Sequence, residues 1–317
     1  MIYRAEVPEV HVSSQTPAVR RALVAALAVT VLWSSSWVLI RFGLRHDQIP
    51  PLTFAGLRYG TAAAVLWAAV ALNRTARDRL AGLTRRGAGQ LAVLGVVYYA
   101  LTQGAQFLAI DTQPVATTSL FLTLTPLLVG LASGRLLSER PGPALAAAAV
   151  LVPAGAAVYF TGTLGATAAG LAASAVALAA NAGASLLGRG INRDAAAVPL
   201  VTTTVSMTIG AVVLLTAGAG TERWPALSWQ AVAIIAWLAI INTAVAFTLW
   251  NFSLRYLTAG ESSVVNNAML PQVGLLGWLF LGQAPGPWQW AGMLLVSAGV
   301  VISQHRRPQA GPAAARG

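Results

Sequence analysis

Pro51-Leu52-Thr53 opens one apolar run, and Pro199-Leu200-Val201 opens another 148 residues later. The same offset separates Arg41 from Arg189. Phe107 and Pro126 return as Phe252 and Pro271 with an offset of 145, and Pro141-Gly142-Pro143 returns as Pro285-Gly286-Pro287 with an offset of 144. Short loop deletions would leave such a drift. The ordered matches divide the chain into two halves, 22–161 and 162–304. Residues 1–21 and 305–317 flank them as expected disordered tails, polar at the front and rich in Pro, Gly and Ala at the end.

The composition says what the halves are made of. Of 317 residues, 56% are hydrophobic and only 9% are charged, against roughly 25% charged in soluble domains. A helix crossing about 30 Å of hydrocarbon needs about 20 mostly apolar residues. Ten runs meet or approach this: 22–44, 52–72, 89–110, 114–135, 144–161, 166–188, 199–218, 229–253, 260–281 and 287–304. The expected fold is therefore an all-α integral membrane protein with ten transmembrane helices, five per half. Five is odd, so the second half enters the membrane upside down. Two inverted five-helix repeats are a transporter architecture, with the substrate site near the midplane between them.

Arginine sets the orientation. All 20 basic residues are arginine. With the N-terminus inside, sixteen fall in inner segments, led by Arg20, Arg21, Arg74, Arg77, Arg79, Arg85, Arg86, Arg135, Arg140, Arg189, Arg193 and Arg255. Three, Arg41, Arg45 and Arg223, fall at or near the outside. The positive-inside rule then places both termini in the cytoplasm and the chain in the inner, cytoplasmic membrane as a multi-pass protein. Arg20-Arg21 reads as a flank of the first run, which is full length and is expected to stay as a span rather than be cleaved.

The same residues narrow the function. There is no cysteine, and His11, His46 and His305 lie outside the long apolar runs, so thiolate chemistry, a buried histidine metal site and a Ser-His-Asp triad have no carriers. Paired intramembrane aspartates and His-Glu-x-x-His are absent, so an intramembrane enzyme is not expected. The arginines sit between apolar runs instead of along a polar face, which argues against nucleic acid despite a net charge of +11. The glycines around 183–190 lack a phosphate-loop pattern, and no cofactor is expected.

With order and spacing in hand, the chain resembles the EamA family of the drug/metabolite transporter superfamily over about 22–304. Leu32-Trp33, Arg41 and Pro51-Leu52-Thr53-Phe54-Ala55-Gly56-Leu57-Arg58 match its first two spans. Phe107-Leu108-Ala109-Ile110, Pro126 and Glu139 match spans three and four, and Leu249-Trp250-Asn251-Phe252-Ser253-Leu254 and Leu270-Pro271 match spans eight and nine. Leu281-Gly282-Gln283 departs from the pattern, since the family has a glutamate at the third position. The resemblance implies export or uptake of small metabolites such as amino acids, and export is the favoured reading. A non-transporting scaffold or receptor with the same fold is the alternative. The expected partners are a small-molecule substrate and the lipid bilayer; a homodimer is compatible with the sequence.

Polar residues within apolar runs are the candidate substrate contacts. Tyr99, Gln103 and Gln106 are spaced by four and three and share a helical face. Trp33, Asn181, Trp250, Asn251, Asn266 and Asn267 complete the set. Amides donate and accept without fixed charge, which suits zwitterionic or amide solutes; hydrogen bonding between helices competes for the same residue types. Arg58 lies about six residues into its run, roughly 9 Å from the outer end. It either snorkels outward or meets an anionic group or a helix C-terminus. Glu261 opens the ninth run, either as a helix cap or as a proton carrier.

Overall fold

The computed structural model describes residues 17–45, 48–113, 115–139, 142–162, 165–194, 197–222, 224, 226–281 and 284–304. Of the expected tails, residues 1–16 and 305–317 lie outside the described residues, whereas 17–21 are not disordered but form the first turn of a helix. The three histidines, Arg140, Pro141, Arg223, Gln283 and the side chains of Arg41 and Arg45 also lie outside the described residues.

The described residues form helices and connecting turns, with no strand among them. In chain order the helices are α1 (Pro17–Arg45), α2 (Pro51–Leu72), α3 (Arg74–Ala81), α4 (Arg85–Thr112), α5 (Val115–Thr123), α6 (Thr125–Leu136), α7 (Pro143–Tyr159), α8 (Ala168–Asn192), α9 (Pro199–Thr221), α10 (Trp229–Ser253), α11 (Ala259–Asn266), α12 (Met269–Leu281) and α13 (Pro287–Gln304). Seven stretches are long and apolar enough to cross a membrane: α1, α2, α4, α5–α6, α8, α9 and α10. α7 and α13 are apolar but shorter. The chain is a multi-pass membrane protein.

Local chemistry marks the ends. Proline stands at the start of α2, α7 and α9, where its missing N–H has no helical partner to lose. Thr84, Thr167, Ser228 and Thr258 accept N-terminal N–H groups through their hydroxyls. Large apolar side chains such as Leu72, Leu131, Val150, Trp229 and Leu279 lie well exposed. Water would penalise that surface and lipid accepts it.

The interiors of the helices are irregular in matched places. α4 passes through a π-helical stretch at Gly95–Gln103 and α10 through another at Ile240–Val245. α5 and α6 are separated at Leu124, just before Pro126. α11 and α12 are separated at Asn267 and Ala268, just before Pro271. Proline removes one helical hydrogen bond, and tighter turns replace it: Leu127 N–H bonds Leu124 O, and Leu270 N–H bonds Asn267 O. Thr125 Oγ1 donates to Leu122 O at 2.7 Å, the carbonyl that Pro126 cannot serve.

Packing is closest between α2 and α9 and between α7 and α13. α4 also presses on α9, where a Cβ on Gly210 would stand 2.4 Å from Tyr99 Cβ and 2.7 Å from Gly95 O. A Cβ on Gly292 of α13 would meet Tyr159 N and Cβ of α7 at 2.5 Å. Small residues permit such backbone approach in membrane bundles. One apolar core joins α1, α2, α4, α9 and α10 around Phe54, Tyr59, Tyr99, Met207 and Leu238. A second joins α7, α11, α12 and α13 around Val152, Ala156, Val264 and Val296. A cavity is left between them.

Candidate functional site

The cavity has a volume of about 200 Å³, below the roughly 300–1,000 Å³ of pockets for drug-sized ligands. α1, α2, α4, α5, α7, α8, α10, α11 and α12 all contribute to its wall. Trp33, Tyr59, Tyr98 and Phe247 form an aromatic side, with Tyr98 to Phe247 centroids 5.3 Å apart and Trp33 to Phe247 4.9 Å apart. Amides, hydroxyls and Arg58 complete the wall.

Six of the nine candidates reach the cavity: Trp33, Gln103, Gln106, Asn181, Asn266 and Asn267. Their hydrogen bonding divides them. Asn181 Nδ2 donates to Thr125 Oγ1 at 3.0 Å, so it braces the proline break between α5 and α6. Asn267 Nδ2 donates to Ser263 O at 2.9 Å within its own helix. Gln103 and Gln106 line the cavity with no hydrogen bond to another described residue. Asn266 Oδ1 is buried and without a partner among the described residues. A buried acceptor left unpaired is costly.

Tyr99, Trp250 and Asn251 stand behind the wall. Tyr99 is fully buried and packs its ring on Tyr59, Tyr98 and Phe247. The π-helical stretch explains this placement, because its wider turn shifts the register that ordinary helical spacing assumes. Tyr98 and Thr102 therefore share the cavity face with Gln103 and Gln106. Trp250 backs Trp33 at 5.1 Å. Asn251 accepts from Asn192 Nδ2 at 2.7 Å and donates to Thr203 Oγ1 and Phe247 O at 3.0 Å. This buried junction ties α8, α9 and α10 together.

Arg58 does not snorkel toward the helix end. It is 3% exposed and crosses to the π-helical stretch of α10. There Nε donates to Thr243 Oγ1 at 2.7 Å and Nη2 to Asn242 O at 3.3 Å. Trp33 Nε1 donates to the same carbonyl at 3.1 Å. Asn242 Nδ2 returns hydrogen bonds to Leu32 O and to Ser35 Oγ, so one irregular turn gathers α1, α2 and α10. The π geometry makes this possible, since its loosened ladder leaves carbonyl capacity for side chains. Sequence periodicity carries no sign of such a turn, nor of the one in α4 that brings Tyr98 and Thr102 to the cavity wall. Tyr59 of α2 is a further wall residue, and no polar pattern in its run sets it apart.

Glu261 closes a capping box: its carboxylate accepts from Thr258 N–H at 2.9 Å, and its own N–H donates to Thr258 Oγ1 at 3.1 Å. It holds the start of α11. Glu222 does similar work at the other side of the molecule, accepting from the backbone N–H groups of Leu52 and Thr53 and from Thr53 Oγ1 at 2.7–2.9 Å.

Comparison with known proteins adds to this geometry. The EamA-like transporter family matches residues 20–161 and again 168–303. The permease-like protein YdzE of Bacillus subtilis (strain 168) is 40% identical over 67 residues, which cover 21% of this chain and 85% of that one. A solved crystal structure, 20% identical, aligns with 90% of this chain and 97% of its own at a TM-score of 0.74. At that identity the likeness concerns the fold.

Proposed function

This chain belongs to the EamA-like transporter family, and we propose that it is a secondary transporter of small polar metabolites, amino acids or related solutes, working by alternating access across the cytoplasmic membrane. The observation that carries this is the cavity itself: a small space where helices of both halves converge, with Asn266 and the amides of Gln103 and Gln106, unpartnered among the described residues, on its wall. Polar groups held unsatisfied in a hydrocarbon setting are expensive unless water or a solute reaches them.

In this reading ten helices cross the bilayer as two inverted repeats, 22–161 and 162–304. The matched irregularities support it. The π-helical stretches fall on α4 and α10, and the proline breaks on α5–α6 and α11–α12; these are the third and eighth, and the fourth and ninth, apolar runs. The closest helix pairs join the second run to the seventh and the fifth to the tenth, as a two-fold axis in the membrane plane would arrange. With the arginine-rich ends inside, the cavity lies in the middle and outer part of the bundle. The Asn251 junction and the Glu139–Arg189 pair then lie below it on the cytoplasmic side.

Flux in proteoliposomes tests the reading. Purified protein with an isotope-labelled metabolite panel is expected to give saturable movement in the direction of the imposed gradient. A scaffold or receptor would bind partners and move none of the panel.

A further inference from the structure

Resting on the transport reading, we propose that Arg58 seats an oxyanion of the carried solute, and that the substrates are small carboxylates. A guanidinium keeps its charge at any physiological pH, and a buried charge in a membrane protein needs a counter-charge or a function. Arg58 is almost wholly buried on the cavity wall, and no described carboxylate pairs with it. The buried or half-buried acids have other work: Glu139 with Arg189, Glu222 at the start of α2, and Glu261 in its capping box.

Its hydrogen bonds fix the head without exhausting it. Nε and Nη2 use one bond each, to a neutral hydroxyl and a neutral carbonyl, and Nη1 has no partner among the described residues. Two anchored nitrogens and a free one make a pre-oriented cation beside open volume. Planar donors of this kind match the two oxygens of a carboxylate. Gln103 and Gln106, on the same cavity and without a hydrogen bond to another described residue, supply amide oxygens as acceptors for a second group such as an ammonium. The aromatic side of Trp33, Tyr98 and Phe247 leaves room for an apolar remainder.

A simple clamp on the π-helical turn of α10 is the competing role for Arg58, and solute preference separates the two. The experiment measures counterflow in proteoliposomes of L-alanine, L-leucine and L-phenylalanine, of their C-terminal amides, and of glycerol 3-phosphate. The acids are expected to move faster than the amides by about tenfold or more, the scale of one hydrogen bond to a charged group. Arg58→Gln is expected to slow the acids and level that ratio, and Arg58→Lys to restore part of it. Wild-type protein that moves amides as well as acids overturns the proposal and leaves transport standing. Movement of the phosphate ester alone overturns the carboxylate assignment. An Arg58→Gln protein that keeps the wild-type ratio overturns the role of Arg58. No movement of any solute overturns both this proposal and the transport reading. Where Arg58→Gln fails to fold, the wild-type ratio still decides the carboxylate preference, and an Arg58→Lys protein whose ratio is unchanged from wild type overturns the role of Arg58.

Discussion

Glu139 and Arg189 are joined at 2.7 Å, Oε1 to Nε, across the ends of two helices. The second carboxylate oxygen of Glu139 accepts from the backbone N–H of Ala259, the first residue of α11. Arg189 Nη1 donates to Leu254 O and Arg255 O at the end of α10. One pair therefore fastens α6, α8, α10 and α11, with the acid at a helix start and the cation at a helix end, as the helix dipoles favour.

Breaking this pair is expected to destabilise the fold. The side chains are 14% and 15% exposed, so the cost lies between a surface pair and a buried one, about 2 kcal/mol for Arg189→Gln. Thermal unfolding in detergent of Arg189→Gln, Glu139→Gln and the double variant measures it. A double variant whose loss equals the sum of the singles would show that the two side chains act independently.

The repeat places Gln283 where Glu139 stands in the first half, and Arg41 where Arg189 stands in the second. The Glu139–Arg189 pair thus has a mate that lacks its acid. Gln283→Glu is expected to favour the outward-closed state. In a Gln106→Cys background, the added acid should slow labelling by an impermeant thiol reagent applied outside. Unchanged or faster labelling would count against the gate symmetry.

Orientation has its own test, helped by the absence of native cysteine. Cysteine at position 80, in the arginine-rich segment around α3, is expected to resist an impermeant outside reagent in intact cells. Cysteine in place of Gln106 is expected to react. The reverse pattern would invert the topology.

Gln103 and Asn251 are expected to part company under mutation. Gln103→Leu touches only the cavity and should lower flux with little change in melting temperature. Asn251→Leu removes three buried hydrogen bonds and leaves Asn192 and Thr203 only their bonds to Gly188 O and Pro199 O, at a cost of about 2–3 kcal/mol. Measuring folded yield beside flux separates the two; equal loss of stability in both would place Gln103 in the packing.

Gly210→Leu is expected to force α9 away from α4, because even a Cβ there lies 2.4 Å from Tyr99 Cβ. Overpacking of this kind costs about 1–3 kcal/mol or more. Gly130→Leu meets nothing within 4 Å at the Cβ position and serves as the neutral control in the same melting assay.

The sequence by itself determined the membrane class, the apolar runs, the proline break points and the family. Each of these rests on local composition or on order along the chain: apolar length, arginine placement, and Pro126 and Pro271, whose lost hydrogen bond needs no tertiary partner to take effect. Glu261 was legible as a candidate cap for the same local reason. What only the tertiary structure decided is which polar groups are free. Asn251 and Gln103 look alike in an apolar run, yet one is consumed by Asn192 and Thr203 and the other is left on the cavity. Tyr98 and Tyr99 are neighbours, and the π-helical register sends one to the wall and the other into the core. Arg58 reads as either a snorkelling or an inward cation until the distant turn at Asn242 and Thr243 draws it inward. Partners some 185 residues away satisfy or abandon a side chain only once the helices have packed, and periodicity within one helix holds no record of them.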